Sequence, residues 1–290
     1  MSANEKKVLM FFGTRPEALK LVPLITALRA EESISLKVCN TGQHKELLDV
    51  VLKNFNVKID YNLYSMDPGQ SLNSLTAKLI SSCDEVINDF KPNLVVVHGD
   101  TNTTFAASFA AFQQGVKIAH VEAGLRTNNI KSPWPEEANR KLTSVLTDLH
   151  FAPTIKAKDN LVGEGFSESA IFVTGNTIID MLFQQLAHVK SDASIHDDVK
   201  VKLGFDPQET EFILITGHRR ENFGSGFENI CHAIKSLALS YPEKYFVFPV
   251  HLNPNVRRPV ETILSAVSNI KLIEPVNYFQ FLYLMYCCKL

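Results

Sequence analysis

Three acidic residues stand where a carboxylate could move a proton. Asp100 follows an apolar run in His98-Gly99-Asp100-Thr101, and Glu122 sits in His120-Val121-Glu122-Ala123-Gly124-Leu125-Arg126. Glu136 lies in Pro133-Trp134-Pro135-Glu136-Glu137-Ala138-Asn139-Arg140. Carboxylates placed close together push their pKa values apart, which separates an acid from a base. Cationic stretches complement them. Gly13-Thr14-Arg15-Pro16-Glu17-Ala18 follows a strand and opens a helix that carries Lys20 one turn on. His218-Arg219-Arg220-Glu221 closes another strand and precedes Gly224-Ser225-Gly226. Helix starts offer N–H groups to anions, and arginine grips phosphate bidentately, so these segments suit a diphosphate.

Each residue also has an ordinary use. Asp100 could be an N-cap, Glu122 a salt-bridge partner of Arg126, and Arg15 a partner of Glu17. An acid at Glu136 is expected in a helix first turn on dipole grounds. The recurrence of polar clusters carries the argument: Thr41-Gly42-Gln43-His44 and His251-Leu252-Asn253-Pro254-Asn255 also end strands. In an open parallel sheet the ligand crevice lies beyond the carboxyl ends of the strands.

The elements that would position these clusters alternate in type. Strands are expected at 8–12, 36–40, 94–97, 117–121, 150–152 and 171–174, separated by helical stretches such as 16–30, 45–54, 71–90, 102–114, 136–147 and 155–163. That is a complete doubly wound unit. A second series follows, with strands at 212–216, 246–250 and 270–273 and helices at 177–189, 227–241, 256–267 and 278–285. The expected fold class is α/β, with two Rossmann-like domains at 1–174 and 175–290 and the second incomplete. The segment 191–207 is polar and is expected to pack loosely. Cys288-Lys289-Leu290 looks like the opening of a further strand.

Bulk properties exclude several classes. A net charge of -2 gives no electrostatic case for nucleic acid or a membrane surface. No apolar run is long enough to span a bilayer, and Met1–Lys7 lacks a signal-peptide apolar region, so a cytoplasmic protein is expected. The five cysteines show no CxxC spacing, which fits reduced, buried thiols and gives no metal site. The first turn is not the glycine-rich dinucleotide fingerprint, so an NAD site has little support. Tyr278, Phe279 and Phe281 could stack on a base, but their helical spacing reads first as core.

Taken together, these motifs closely resemble the bacterial, non-hydrolysing UDP-N-acetylglucosamine 2-epimerases. Thr174-Gly175-Asn176-Thr177 adds to the ordered set, and the likeness runs from about Lys7 to about Met285. The resemblance implies two facing Rossmann-like domains, as in glycosyltransferase-B folds, with the active site between them. It implies inversion at C2 of UDP-GlcNAc to give UDP-ManNAc, by elimination of UDP and re-addition through a bound glycal. No cofactor is implied. By motif, Asp100, Glu122, Glu136 and His218 match the family's catalytic groups, and Arg15, Lys20, Arg219 and Phe281 its substrate-binding groups, with Phe281 on uracil. Gln43, His44 and Gln70 lie where some members bind an activating second UDP-GlcNAc. A homodimer through the first domain and a role in surface-polysaccharide synthesis are likewise implied.

The family pattern continues past this chain with a Ser-Gly-Gly loop and a helix-borne Glu that hold the diphosphate and ribose. The 290-residue chain is therefore expected to be weakly active or inactive, and poorly soluble, unless a partner supplies that part. Competing readings are an epimerase of a related UDP-sugar such as a diacetamido uronate, a hydrolysing epimerase, a non-catalytic UDP-sugar-binding protein, and a glycosyltransferase.

Overall fold

The structure is a computed structural model that describes residues 5–42, 52, 55, 57–66, 69–217 and 224–290. The chain divides into two compact units, Met1–Met181 and Leu182–Leu290.

In the first unit, β1 (Lys6–Phe12), β2 (Ile34–Asn40), β3 (Tyr61–Asn62), β4 (Leu94–His98), β5 (Lys117–Val121), β6 (Leu149–Ala152) and β7 (Ile171–Val173) form one parallel sheet. Its order is β3-β2-β1-β4-β5-β6-β7. Around it lie α1 (Arg15–Ala30), α2 (Leu72–Phe90), α3 (Asn102–Gln113), α4 (Glu136–Leu146) and α5 (Ile155–Gly163). The central strands are apolar on both faces because both are covered. Leu9 and Phe11 of β1, with Val95 and Val97 of β4, pack on Val86, Ile87 and Phe90 of α2 and on the alanines of α3. The alternate residues Val8, Met10 and Phe12 pack on Ala18, Leu21 and Ile25 of α1. The chain leaves β1 toward β2 and β3, then returns to β4 on the other side. The β1/β4 seam is therefore a topological switch point, the place where such sheets open a crevice.

The helix starts come from local sequence. Ser71 caps α2 by accepting from the Ser74 amide, and Thr101 caps α3 by accepting from that of Thr104. The cap of α3 is thus Thr101 and not Asp100, which leaves the Asp100 carboxylate free for other work. The short strand β3 has no counterpart in the sequence reading, because two residues carry no periodicity. The expected helix at 45–54 lies almost wholly outside the described residues.

After α6 (Thr177–Ser191), the second unit holds α7 (Ala193–Leu203), α8 (Ser225–Ser240), α9 (Pro254–Leu264) and α10 (Tyr278–Cys287). Its parallel sheet has the order β10-β9-β8, from β8 (Phe212–Leu214), β9 (Tyr245–Pro249) and β10 (Ile270–Ile273). The Lys289 amide donates to Phe212 O at 2.9 Å and the Leu214 amide to Leu290 O at 2.9 Å, so the chain does extend along the β8 edge. The expectation of loose packing at 191–207 is overturned. Ile195, Val199 and Leu203 are buried one turn apart on α7, against Phe212, Tyr283 and Leu282. Three apolar residues at helical spacing suffice to seat an otherwise polar helix. His196 belongs to this contact: it stacks on Tyr283 with centroids 4.4 Å apart.

Candidate active site

A cavity of about 240 Å³ opens at the β1/β4 switch point, lined by Thr14, Glu17, Lys20, His98, Asp100, Glu122 and Arg140, among others. Every wall comes from a strand end or the helix that follows it. A second cavity of about 260 Å³ adjoins it, shares Thr14, Asp100 and Thr101, and includes Glu136 and Asn139. The three acids expected from sequence are thus brought together, Glu122 and Asp100 in one chamber and Glu136 in the next.

Glu122 occupies the residue just past β5 with φ 64, in the left-handed region that a branched or long side chain seldom adopts. Such a backbone costs on the order of 1–2 kcal/mol, and strain of this kind gathers at functional sites. Lys20 Nζ lies 2.7 and 2.6 Å from the two Glu122 oxygens. His98 Nε2 is 3.0 Å from Oε2, close but without the alignment of a hydrogen bond. Asn176 Nδ2 donates to Oε1 at 3.4 Å. Burial pushes the Glu122 carboxyl up, but His98 and Lys20 together outweigh it and hold the group down at about 2. The ion pair with Lys20 thus favours the charged form of Glu122. Arg126, the partner that an ordinary salt-bridge role would give Glu122, instead grips Glu164 at 2.8 Å.

Asp100 is set differently. Arg140 Nη2 meets its Oδ2 at 2.9 Å, while the Arg140 Nε faces Glu137 at 3.3 Å. Asn139 Nδ2 donates to the Asp100 carbonyl at 3.0 Å. Burial raises the Asp100 carboxyl above its ordinary value; Arg140 pulls it down, and Glu136 and Glu122 push it up again. The two neighbouring carboxylates are thus shifted in opposite directions, Glu122 down and Asp100 up, which is the kind of division an acid–base site uses.

Glu17 removes one expected feature. Its carboxylate accepts from the Gly13 amide at 3.1 Å, the Thr14 amide at 2.8 Å and the Thr14 hydroxyl at 2.7 Å. It also accepts from the Thr101 hydroxyl at 2.8 Å, tying the β1 turn to the β4 turn. The amides read as a phosphate cradle are already occupied. Arg15 is exposed and forms no ion pair among the described residues, so Glu17 is not its partner.

Gln70 donates to Ser65 O at 3.2 Å. Phe281 lies half-buried in the first turns of α10, beside the buried Leu282 and Tyr283. Gln43, His44, His218 and Arg219 lie outside the described residues. Sequence reasoning did not single out Glu17, His98 or Arg140; Glu17 and His98 stand in strand-end motifs, and Arg140 ends the Pro133–Arg140 motif inside α4. Among the described residues, no group of three or more His, Cys, Asp or Glu is placed to hold a metal ion. No described helix is long and apolar enough to cross a membrane.

A parallel α/β fold with paired carboxylates and cations at its switch point defines a class of small-ligand enzymes; comparison with known proteins narrows it. The sequence family described as UDP-N-acetylglucosamine 2-epimerase matches residues 26–290. The chain is 52% identical over 279 residues to a UDP-N-acetylglucosamine 2-epimerase of Neisseria meningitidis, covering 96% of this chain and 75% of that protein. It is 49% identical to the one from Campylobacter jejuni over 283 residues, 97% of this chain and 74% of that protein. Among solved structures, the Neisseria meningitidis UDP-GlcNAc 2-epimerase bound to UDP-GlcNAc superposes with TM-score 0.88 at 52% identity, covering 97% of this chain and 76% of that one. The Methanocaldococcus jannaschii UDP-GlcNAc 2-epimerase gives 0.83 at 33% identity, covering 98% and 77%. The chain belongs to the UDP-N-acetylglucosamine 2-epimerase family.

Proposed function

We propose that this chain inverts C2 of UDP-N-acetylglucosamine to give UDP-N-acetylmannosamine without hydrolysing the nucleotide. The observation that carries the reading is the unequal pair at the switch point: Glu122 paired with Lys20 at 2.6 Å, with His98 beside it, and Asp100 raised by burial beside Arg140. In the first half-reaction the C1–O bond breaks and its electron pair leaves with UDP. A proton is lost from C2, and a double bond forms between C1 and C2. We assign that proton to the Asp100 carboxylate, which borders both cavities and is raised above its ordinary value by burial. Glu122 stays charged throughout and stabilises the positive character that develops at C1 as UDP departs. Re-addition of UDP with a proton delivered to the opposite face of C2 completes the inversion. Glu136, in the adjoining chamber, is the acid available for the second face.

The diphosphate falls to Arg15, whose exposed guanidinium has no ion pair among the described residues, and by motif likeness to His218 and Arg219; Phe281 is assigned to the uracil. On this reading 1–174 carries the catalytic acids and 175–290 the nucleotide-binding groups. The chain works as a cytoplasmic homodimer. Phe112 of α3 and Leu142 and Val145 of α4 are exposed apolar residues that give a second copy a face to cover.

Incubation with UDP-GlcNAc and separation of the products tests the reading. UDP-ManNAc at equilibrium with substrate is expected. Free UDP with ManNAc would replace it by a hydrolysing epimerase, and saturable binding of UDP without turnover by a binding protein.

A further inference from the structure

Histidines stand on three neighbouring strands: His98 on β4, His120 on β5 and His150 on β6. His98 faces the cavity, but His120 does not; its side chain is fully buried. The His120 Nε2 lies 2.7 Å from Gly99 O, and the Gly99 amide donates to Val121 O at 2.9 Å. Both polar backbone atoms of Gly99 are thus held by consecutive residues of β5, immediately before Glu122. Gly99 leads into Asp100, and it too lies in the left-handed region, with φ +70. The turns face each other closely: a Cβ on Gly99 would stand 3.9 Å from Glu122 Oε2.

We propose that His120 is a positioning residue, whose Nε2–H donates to Gly99 O and so fixes the turn carrying Asp100 against the turn carrying Glu122. It sets the separation of the two carboxylates and touches no substrate itself. Burial supports the donor role: it pushes the imidazole down to about 3, with His150, His98 and Arg126 nearby adding to the effect against the Gly99 bond. A neutral ring offers one N–H, and Gly99 O is the acceptor within reach. A histidine that merely filled the core would matter for stability alone.

The proposal rests on the epimerase reading, and its test separates the two. His120→Leu removes the donor; His120→Gln restores an amide N–H near the position of Nε2; His120→Asn is too short to reach. His120→Leu is expected to lower kcat about 10²-fold with KM unchanged, since displacing a catalytic group by about 1 Å costs that much. His120→Gln is expected to recover most of the loss, and His120→Asn to behave like the leucine variant and to replace it if leucine does not fold. Equal kcat in all folded variants, or equal losses in the glutamine and asparagine variants, would overturn the proposal. If the unaltered chain does not turn over UDP-GlcNAc, the functional reading fails instead. Crystal structures then decide the positioning: the Asp100–Arg140 contact of 2.9 Å is lost without the donor if His120 holds the turn, and kept if it does not.

Discussion

Two carboxylates one strand apart have opposite surroundings, and that asymmetry makes their roles separable by mutation. Asp100→Asn is expected to lower kcat by about 10²–10⁴, the usual range for a positioned acid or base, with KM nearly unchanged in steady-state assays. Arg140 pulls the Asp100 carboxyl down against burial. In Arg140→Gln the acidic limb of the kcat/KM profile should therefore move to higher pH; a limb that stays in place would detach Asp100 from that ionisation. The candidate acids were legible in the sequence because strand-end motifs place them beyond the sheet. Their partners were not. Glu122 pairs with Lys20, 102 residues away, and not with the nearer Arg126, a choice made by the left-handed backbone at Glu122 and the order of the strands.

At the scale of elements, the first unit was readable because its central strands are apolar on both faces and α2, α3 and α5 open on side-chain caps. The α7 segment was not, because its three core contacts are diluted by charged neighbours and only the sheet they cover reveals them. That helix makes a sharp prediction. Leu203 is 2% exposed against Phe212 and the α10 residues, and Leu203→Ala should cost about 2–5 kcal/mol in urea unfolding. A loss below about 1 kcal/mol would mean that the segment does pack loosely after all. The β1 turn taught the reverse lesson. Its sequence suits a phosphate cradle, yet a glutamate three residues on occupies the amides, and only the distances reveal that.

The whole molecule carries its buried groups as a pH liability. His120 stays neutral down to about 3 in the folded chain, against 6.5 as its ordinary value. The unfolded chain binds that proton first, so stability falls as pH drops through this window, by up to about 1.4 kcal/mol per pH unit. Glu122 and Glu164, both held at about 2, add a second loss as pH falls below 4.5. Asp100, raised by burial, works in the opposite sense and softens the slope. Thermal melts between pH 7 and pH 4 should show a progressive fall in Tm, and a flat profile would contradict the burial of His120. The chain spans about three quarters of the curated relatives it matches, and the acid-bearing unit lies wholly within it. The most direct test of that unit's chemistry is turnover of UDP-GlcNAc in D₂O, followed by NMR at C2. The account predicts UDP-ManNAc carrying deuterium at C2, because the proton passes through a carboxylate that exchanges with solvent. Epimer formed with its original hydrogen retained at C2 would contradict it.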